Sequence, residues 1–168
     1  MPAAGLWLLL AVTAQGLAAA GLTPGQPVPA LELPDFGAEP GATTSLADLS
    51  GKVVYLDFWA SWCGPCRVSF PQLEALRTEL GPRGFEVLAV NLDEFEADAR
   101  EFLAQVPVSY PVVRDAAGDT PARFGVLGMP TGFLIDRDGI LRLIHQGYRK
   151  SDGPKLRQEI IHLLGDES

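Results

Sequence analysis

Cysteine and histidine are scarce in this chain, with two of each among 168 residues. Two cysteines cannot build the dense bridge framework that holds small exported domains together. None is needed, because a chain this long, less any removed leader, has room for one ordinary core. Basic residues are in the minority, with 13 Lys and Arg against 21 Asp and Glu and a net charge of −8. That balance repels phosphate backbones and anionic lipid surfaces, so nucleic acid is not an expected partner. Internal repeats and low-complexity segments are missing too. Charge of either sign is absent from the first 31 residues, and Glu32 is the first ionisable side chain.

That uncharged opening reads as a leader. Leu6 to Val12 (LWLLLAV) has the length of a signal-peptide apolar block, and Ala18, Ala19 and Ala20 offer a small-residue cleavage site before Gly21. The expectation is a signal peptide over residues 1–20 and one domain over residues 21–168. No Lys or Arg precedes the apolar block, so orientation rests on the terminal amine, or the true start lies upstream. The rival is an uncleaved anchor over Ala3 to Leu22, which Thr13, Gln15 and two glycines weaken. Export, to the periplasm or an equivalent space, is the better reading.

Thr23 to Gly41 is dense in Pro and Gly and reads as an extended lead-in, with Ala30 to Leu33 as an edge strand. One short turn is expected over Ser45 to Leu49. Lys52 to Trp59 (KVVYLDFW) and Phe85 to Leu92 (FEVLAVNL) read as buried strands. Between them, from Cys63, Val68, Leu73, Leu76 and Leu80 make a helical apolar stripe that Gly81 and Pro82 stop, with Pro71 expected to kink the axis. Strand, helix and strand imply a right-handed crossover with parallel strands. Glu94 to Gln105 is a second helix, and an irregular stretch with Pro107 and Pro111 follows. Thr120 to Phe124 starts a short helix ended by Gly125. Phe133 to Asp136 and Ile140 to Tyr148 flank Asp138 and Gly139, an antiparallel hairpin signal. Lys155 to Leu164 closes the chain as an amphipathic helix. The sum is an α/β domain, a mixed β-sheet with helices on both faces and an N-terminal extension.

The two cysteines sit in WASWCGPC, Trp59 to Cys66. As a staple they are poorly placed, since a loop this short yields only about 2 kcal/mol against about 4.7 kcal/mol for a loop near 100 residues. As a zinc clip they lack partners, because His145 and His162 lie far along the chain and neither has a second ligand nearby. No metal and no cofactor is expected. A working redox pair needs a sulfur that ionises near neutral pH and another that reaches it. Cys63 falls at the expected start of a helix, where unpaired N–H groups and the dipole favour an anion. Bringing a thiol pKa from about 8.5 to about 7 takes roughly 2 kcal/mol, the upper limit of a dipole's contribution. Hydrogen bonds from Cys66 would have to supply the remainder. Gly64 lets backbone pass close to a partner, and Pro65 fixes φ where a missing N–H does no harm.

VYLDFWASWCGPCR, followed some sixty residues later by GMPTGFLID, resembles thioredoxin, and the arrangement after a leader resembles the exported TlpA/ResA-type thioredoxin-like proteins. The match runs from about Gln26 to Leu164. The resemblance implies a thioredoxin fold and dithiol–disulfide exchange, with Cys63 as attacking nucleophile and Cys66 as resolving thiol. It implies a cis Met129-Pro130 bond beside the pair and a backbone docking edge at Met129. The substrate surface it implies comprises Trp62, Gly64, Pro65, Met129, Pro130 and Thr131. Protein disulfides are the implied substrates and a membrane thiol transporter the implied electron donor. Relatives serve cytochrome c maturation, copper-site assembly and general quality control, and the sequence does not choose among them.

Asp57 interrupts an apolar strand six residues before Cys63, and a buried acid is the favoured reading. Burial raises a carboxyl pKa. Thioredoxin has an Asp in this position, implied to take the proton of Cys66, although many TlpA/ResA-like relatives carry a neutral residue there. Two departures stand beside it. Ala89 occupies the place of thioredoxin's accompanying lysine, and Ser69 stands where some ResA-like proteins carry a glutamate. Trp59 reads as core, Arg67 as an exposed helix residue, and His145 and His162 as structural or solvent-facing. The leading function is reduction of disulfides in exported proteins. A disulfide-donating oxidant, and a dithiol module that holds copper or presents a client, remain open beside it. A peroxidase is disfavoured for want of a lone cysteine in a Thr-containing loop.

Overall fold

The structure, a computed structural model, describes residues 21–37 and 39–165. The leader expected over residues 1–20 lies outside them.

Strands β3 (Val53–Trp59) and β4 (Phe85–Asn91) are buried at every position, as their β-branched and aromatic content predicts. Helix α1 (Cys66–Leu80) joins them, and they pair in parallel from Val53 opposite Phe85 to Trp59 opposite Asn91. Helix α2 (Glu96–Gln105) leads to β5 (Val112–Arg114), a strand that the prolines around it hid in the sequence. After the short α3 (Thr120–Phe124) come β6 (Thr131–Ile135) and β7 (Leu141–Gln146), an antiparallel hairpin closed at Asp138 and Gly139. The sheet runs β5-β4-β3-β6-β7, with β6 antiparallel to β3. Helix α4 (Asp152–Leu164) completes the domain.

Alternation along β3 divides the core into two layers. Val53, Tyr55 and Trp59 face the layer built by α1, α2 and α4, with Phe70, Leu73, Phe102, Leu156 and Ile160. Val54, Leu56 and Phe58 face the other layer, with Phe124 of α3 and Leu31 and Leu49 from the lead-in. Helices therefore cover both faces of a mixed sheet, the thioredoxin arrangement.

Several boundaries differ from the sequence reading. The helix begins at Cys66 and not at Cys63, because Pro65 sits at the cap and the two residues before it belong to a turn. Pro71 lies within that helix. The strand expected over Ala30 to Leu33 is instead β1 (Glu32–Pro34), paired with β2 (Thr43–Ser45) in a separate two-stranded ribbon. A 3₁₀ turn over Ala47–Leu49 answers the short turn expected there. Among the described residues no helix is long and apolar enough to cross a membrane.

Candidate redox site

Where β3 ends at Trp59 the chain turns and enters α1. The turn is tied by Cys63 N–H donating to the Ala60 carbonyl (3.1 Å) and Cys66 N–H to the Cys63 carbonyl (3.1 Å). Cys63 and Cys66 are joined as a disulfide with their Cα atoms 5.3 Å apart. They are unequal in access: Cys63 is 4% exposed and Cys66 fully buried, while Trp62, Gly64 and Pro65 around them lie open. The outer sulfur is thus the one a second molecule can reach. Cys66 N–H also points at Cys63 Sγ, 3.3 Å away. The hydrogen bond sought from Cys66 comes from its backbone, and that amide is placed to meet negative charge on the outer sulfur.

Below the turn, Trp59 packs edge-on against Phe70 (4.7 Å between centroids) and at a tilt against Phe102 (4.8 Å), fixing α1 and α2 under the cysteine loop. A second anchor was not read from the sequence. Buried Asp93 accepts hydrogen bonds from Ser61 N–H (2.9 Å) and Ser61 Oγ (2.8 Å), and from Asn91 Nδ2 (2.7 Å). It ties the loop after β4 to the loop carrying Cys63. The only available signal was an acid two residues past a buried strand, which is too common to single out.

Asp57 is 1% exposed, as the strand context predicted. In the register of the sheet it stands opposite Ala89 on one side and Gly132 on the other. Neither neighbour offers a cation or a hydrogen bond, and neither carboxylate oxygen has a partner among the described residues. Burial alone pushes its carboxyl well above the usual range. Tyr55, Tyr110 and Tyr148 surround it, and each phenol is raised, first by its own burial and then by the field of Asp57.

The Met129-Pro130 peptide bond is cis, as the resemblance implied. Thr131 pairs with Phe58, which sets Pro130 level with Trp59 and hence beside the cysteine turn. Met129 packs against the cluster that contains both cysteines. Thr131 Oγ1 donates to the Gly128 carbonyl (2.7 Å), holding the loop closed. Exposed apolar side chains gather at this end of the sheet. Trp62 follows β3, Phe95 follows β4 and Leu127 precedes β6, and they are 72%, 63% and 91% exposed. Phe95 and Leu127 escaped the sequence reading, since a lone apolar residue in a polar loop carries no spacing signal. A groove of about 200 Å³ beside Trp62 is lined by Ser61, Arg67, Asp98, Phe102 and Gln105.

Arg67 lies on the exposed face of α1, bonded to Gln105 (3.1 Å) and stacked 4.8 Å from the Phe102 ring, and so turned toward α2. Ser69 is buried, its hydroxyl donating to the Cys66 carbonyl (3.2 Å). His145 is half-buried and bonds the Tyr55 hydroxyl and Asp152.

The Redoxin family model matches residues 23–160. Thiol-disulfide oxidoreductase ResA of Bacillus thuringiensis subsp. konkukian is 36% identical over 99 residues, 59% of this chain and 57% of ResA. The chain therefore aligns with little more than half of that relative's length. Thioredoxin-like protein YneN of Bacillus subtilis is 35% identical over 121 residues, 69% of this chain and 70% of YneN. Among solved structures, a protein assigned as thiol:disulfide interchange protein DsbE from Chlorobium tepidum superposes with a TM-score of 0.81 at 48% identity. That likeness covers 86% of this chain and all of the other. A turn carrying two bonded cysteines, an acid buried beneath it, a cis-proline loop beside it and a family match over most of the length agree, and the chain belongs to the Redoxin family.

Proposed function

We propose that the protein is a dithiol reductant of disulfides in exported proteins. The observation that carries this reading is the asymmetric pair, an outer Cys63 bonded to a fully buried Cys66 with an unpaired acid in the same layer. Starting from the dithiol, the Cys63 thiolate attacks a substrate sulfur, the substrate disulfide breaks, and one substrate thiol leaves with a proton. Cys66 then gives its proton to Asp57 and attacks Cys63 Sγ. The mixed disulfide breaks, the second substrate thiol leaves, and two electrons have passed from the protein to its substrate. Trp62, Gly64, Pro65 and Met129 form the surface on which an extended substrate segment lies, while Pro130 and Thr131, both buried, shape the loop behind it.

Export rests on the apolar leader in residues 1–20, and the oxidising space beyond a membrane requires that the oxidised pair be recharged. A membrane thiol transporter is the donor that fits this place. Cytochrome c biogenesis is one client pathway of that kind.

The experiment is reduction of insulin with dithiothreitol as donor, together with the equilibrium potential of the pair against glutathione. Turnover with a potential near thioredoxin's, about −270 mV, supports reduction. A potential near about −120 mV assigns the opposite direction, and no turnover at all overturns the enzyme reading.

A further inference from the structure

One row of residues crosses the sheet beneath the cysteines. Register places Val112, Ala89, Asp57, Gly132 and His145 side by side on β5, β4, β3, β6 and β7, and paired residues project to the same face. Gly132 thus leaves a gap between an acid and an imidazole. The Tyr55 side chain, two residues along β3 from Asp57, fills that gap: a Cβ built on Gly132 would lie 2.0 Å from its hydroxyl oxygen. From there the hydroxyl reaches His145 Nδ1 at 3.2 Å, and His145 Nε2 lies 3.3 Å from Asp152 Oδ2. The last two side chains are 19% and 21% exposed, against 1% for Asp57. They line a cleft of about 320 Å³ with Leu143, Lys155, Leu156 and Glu159.

We propose that Tyr55, His145 and Asp152 form a proton relay that connects buried Asp57 to this cleft between β7 and α4. The inference rests on the reading of Asp57 as the proton acceptor of Cys66. Burial favours the protonated carboxyl, so Asp57 must release that proton to water before it can accept the one from Cys66, and its flanking positions, Ala89 and Gly132, provide no group to carry it. Through one water, the Asp57 proton passes to the Tyr55 oxygen while the Tyr55 proton passes to His145 Nδ1. His145 releases its Nε2 proton to Asp152 or the cleft, and rotation of the hydroxyl together with return of the imidazole from its Nδ1–H to its Nε2–H tautomer resets the chain. Each transfer moves one proton and leaves no net charge on the tyrosine. The charged and titratable groups facing the path are Asp57 and Tyr55 on β3, Tyr110 before β5, and Tyr148, whose ring lies 5.2 Å from that of His145. From α4 come Asp152, Lys155 and Glu159.

The relay is tested by mixing the reduced full chain with dithionitrobenzoate in a stopped-flow instrument across pH. A first release of thionitrobenzoate reports attack by Cys63, and a second reports resolution by Cys66. Tyr55→Phe, which keeps the ring, and His145→Ala are each expected to lower the ratio of second to first rate about tenfold near neutral pH and to flatten its pH profile. Added imidazole, which fits the cleft, should restore the His145→Ala ratio and leave the wild type unchanged. A wild-type ratio in Tyr55→Phe, or a loss in His145→Ala that imidazole does not restore, overturns the relay. A wild-type protein with no second release fails the functional reading itself and takes the relay with it.

Discussion

Asp57 stands directly opposite Ala89 in the parallel register of β3 and β4, and this pairing leaves a fully buried carboxyl without a cation. Because burial raises its pKa, the folded protein holds the proton at pH values where the unfolded chain has lost it. The folded state then binds more protons, so this group's contribution to stability is present below the unfolded pKa and is lost as pH rises toward the folded one. Asp57→Asn should gain on the wild type with rising pH, by no more than about 1.4 kcal/mol per pH unit for one proton. Urea unfolding at several pH values measures the difference. The same variant should slow resolution by Cys66 by about a hundredfold. Equal pH slopes for variant and wild type would show that Asp57 is ionised normally.

Gly132 is required by the tyrosine beside it. A methyl group there would meet Tyr55 Oη at 2.0 Å and its ring carbon Cζ at 2.1 Å, so the whole ring must move. Gly132→Ala should cost roughly 1–3 kcal/mol of stability and break the bond between Tyr55 and His145. Thermal unfolding and the His145 ring resonances report the two effects together. An unshifted melting point would mean that the ring swings aside freely.

The carboxylate of Asp93 holds three donors at once, one of them the backbone N–H of Ser61 in the cysteine loop. Asp93→Ala leaves those donors without a partner, and a loss of roughly 1.5–3 kcal/mol is expected from the charge-assisted bonds. Insulin reduction should fall as well, since the loop carrying Cys63 loses its tie to β4. Full activity in a destabilised variant would separate the two roles.

Trp62 is a large exposed aromatic directly before Cys63 in the chain. Trp62→Ala should raise KM for insulin about fivefold or more and leave reduction of the pair by dithiothreitol untouched. Phe95→Ala and Leu127→Ala test how far the docking surface extends. A KM unchanged in all three would move the substrate elsewhere.

Much of this site was legible in the sequence. The strand before WCGPC and the burial of Asp57 follow from apolar context, the cis Met129-Pro130 bond is what the thioredoxin resemblance implies, and the structure bears each of them out. What escaped depends on register. Nothing along the chain says that Gly132 and His145 lie in line with Asp57, because that alignment exists only once β3, β6 and β7 are paired. His145 therefore read as a bland hairpin residue. The strand at Val112 was hidden for another reason: three residues between prolines and charges carry too little alternation to stand out. The start of α1 was placed three residues early, since a turn closed by the Cys66 N–H looks like a helix until its bonds are traced.

The division of labour between the two cysteines is the claim on which the rest depends, and trapping tests it most directly. Cys66→Ser and Cys63→Ser proteins are reduced, incubated with insulin and run on a gel without reductant. The account predicts a covalent adduct with Cys66→Ser, where Cys63 attacks and nothing resolves it, and none with Cys63→Ser. An adduct formed only by Cys63→Ser would reverse the roles and contradict the account.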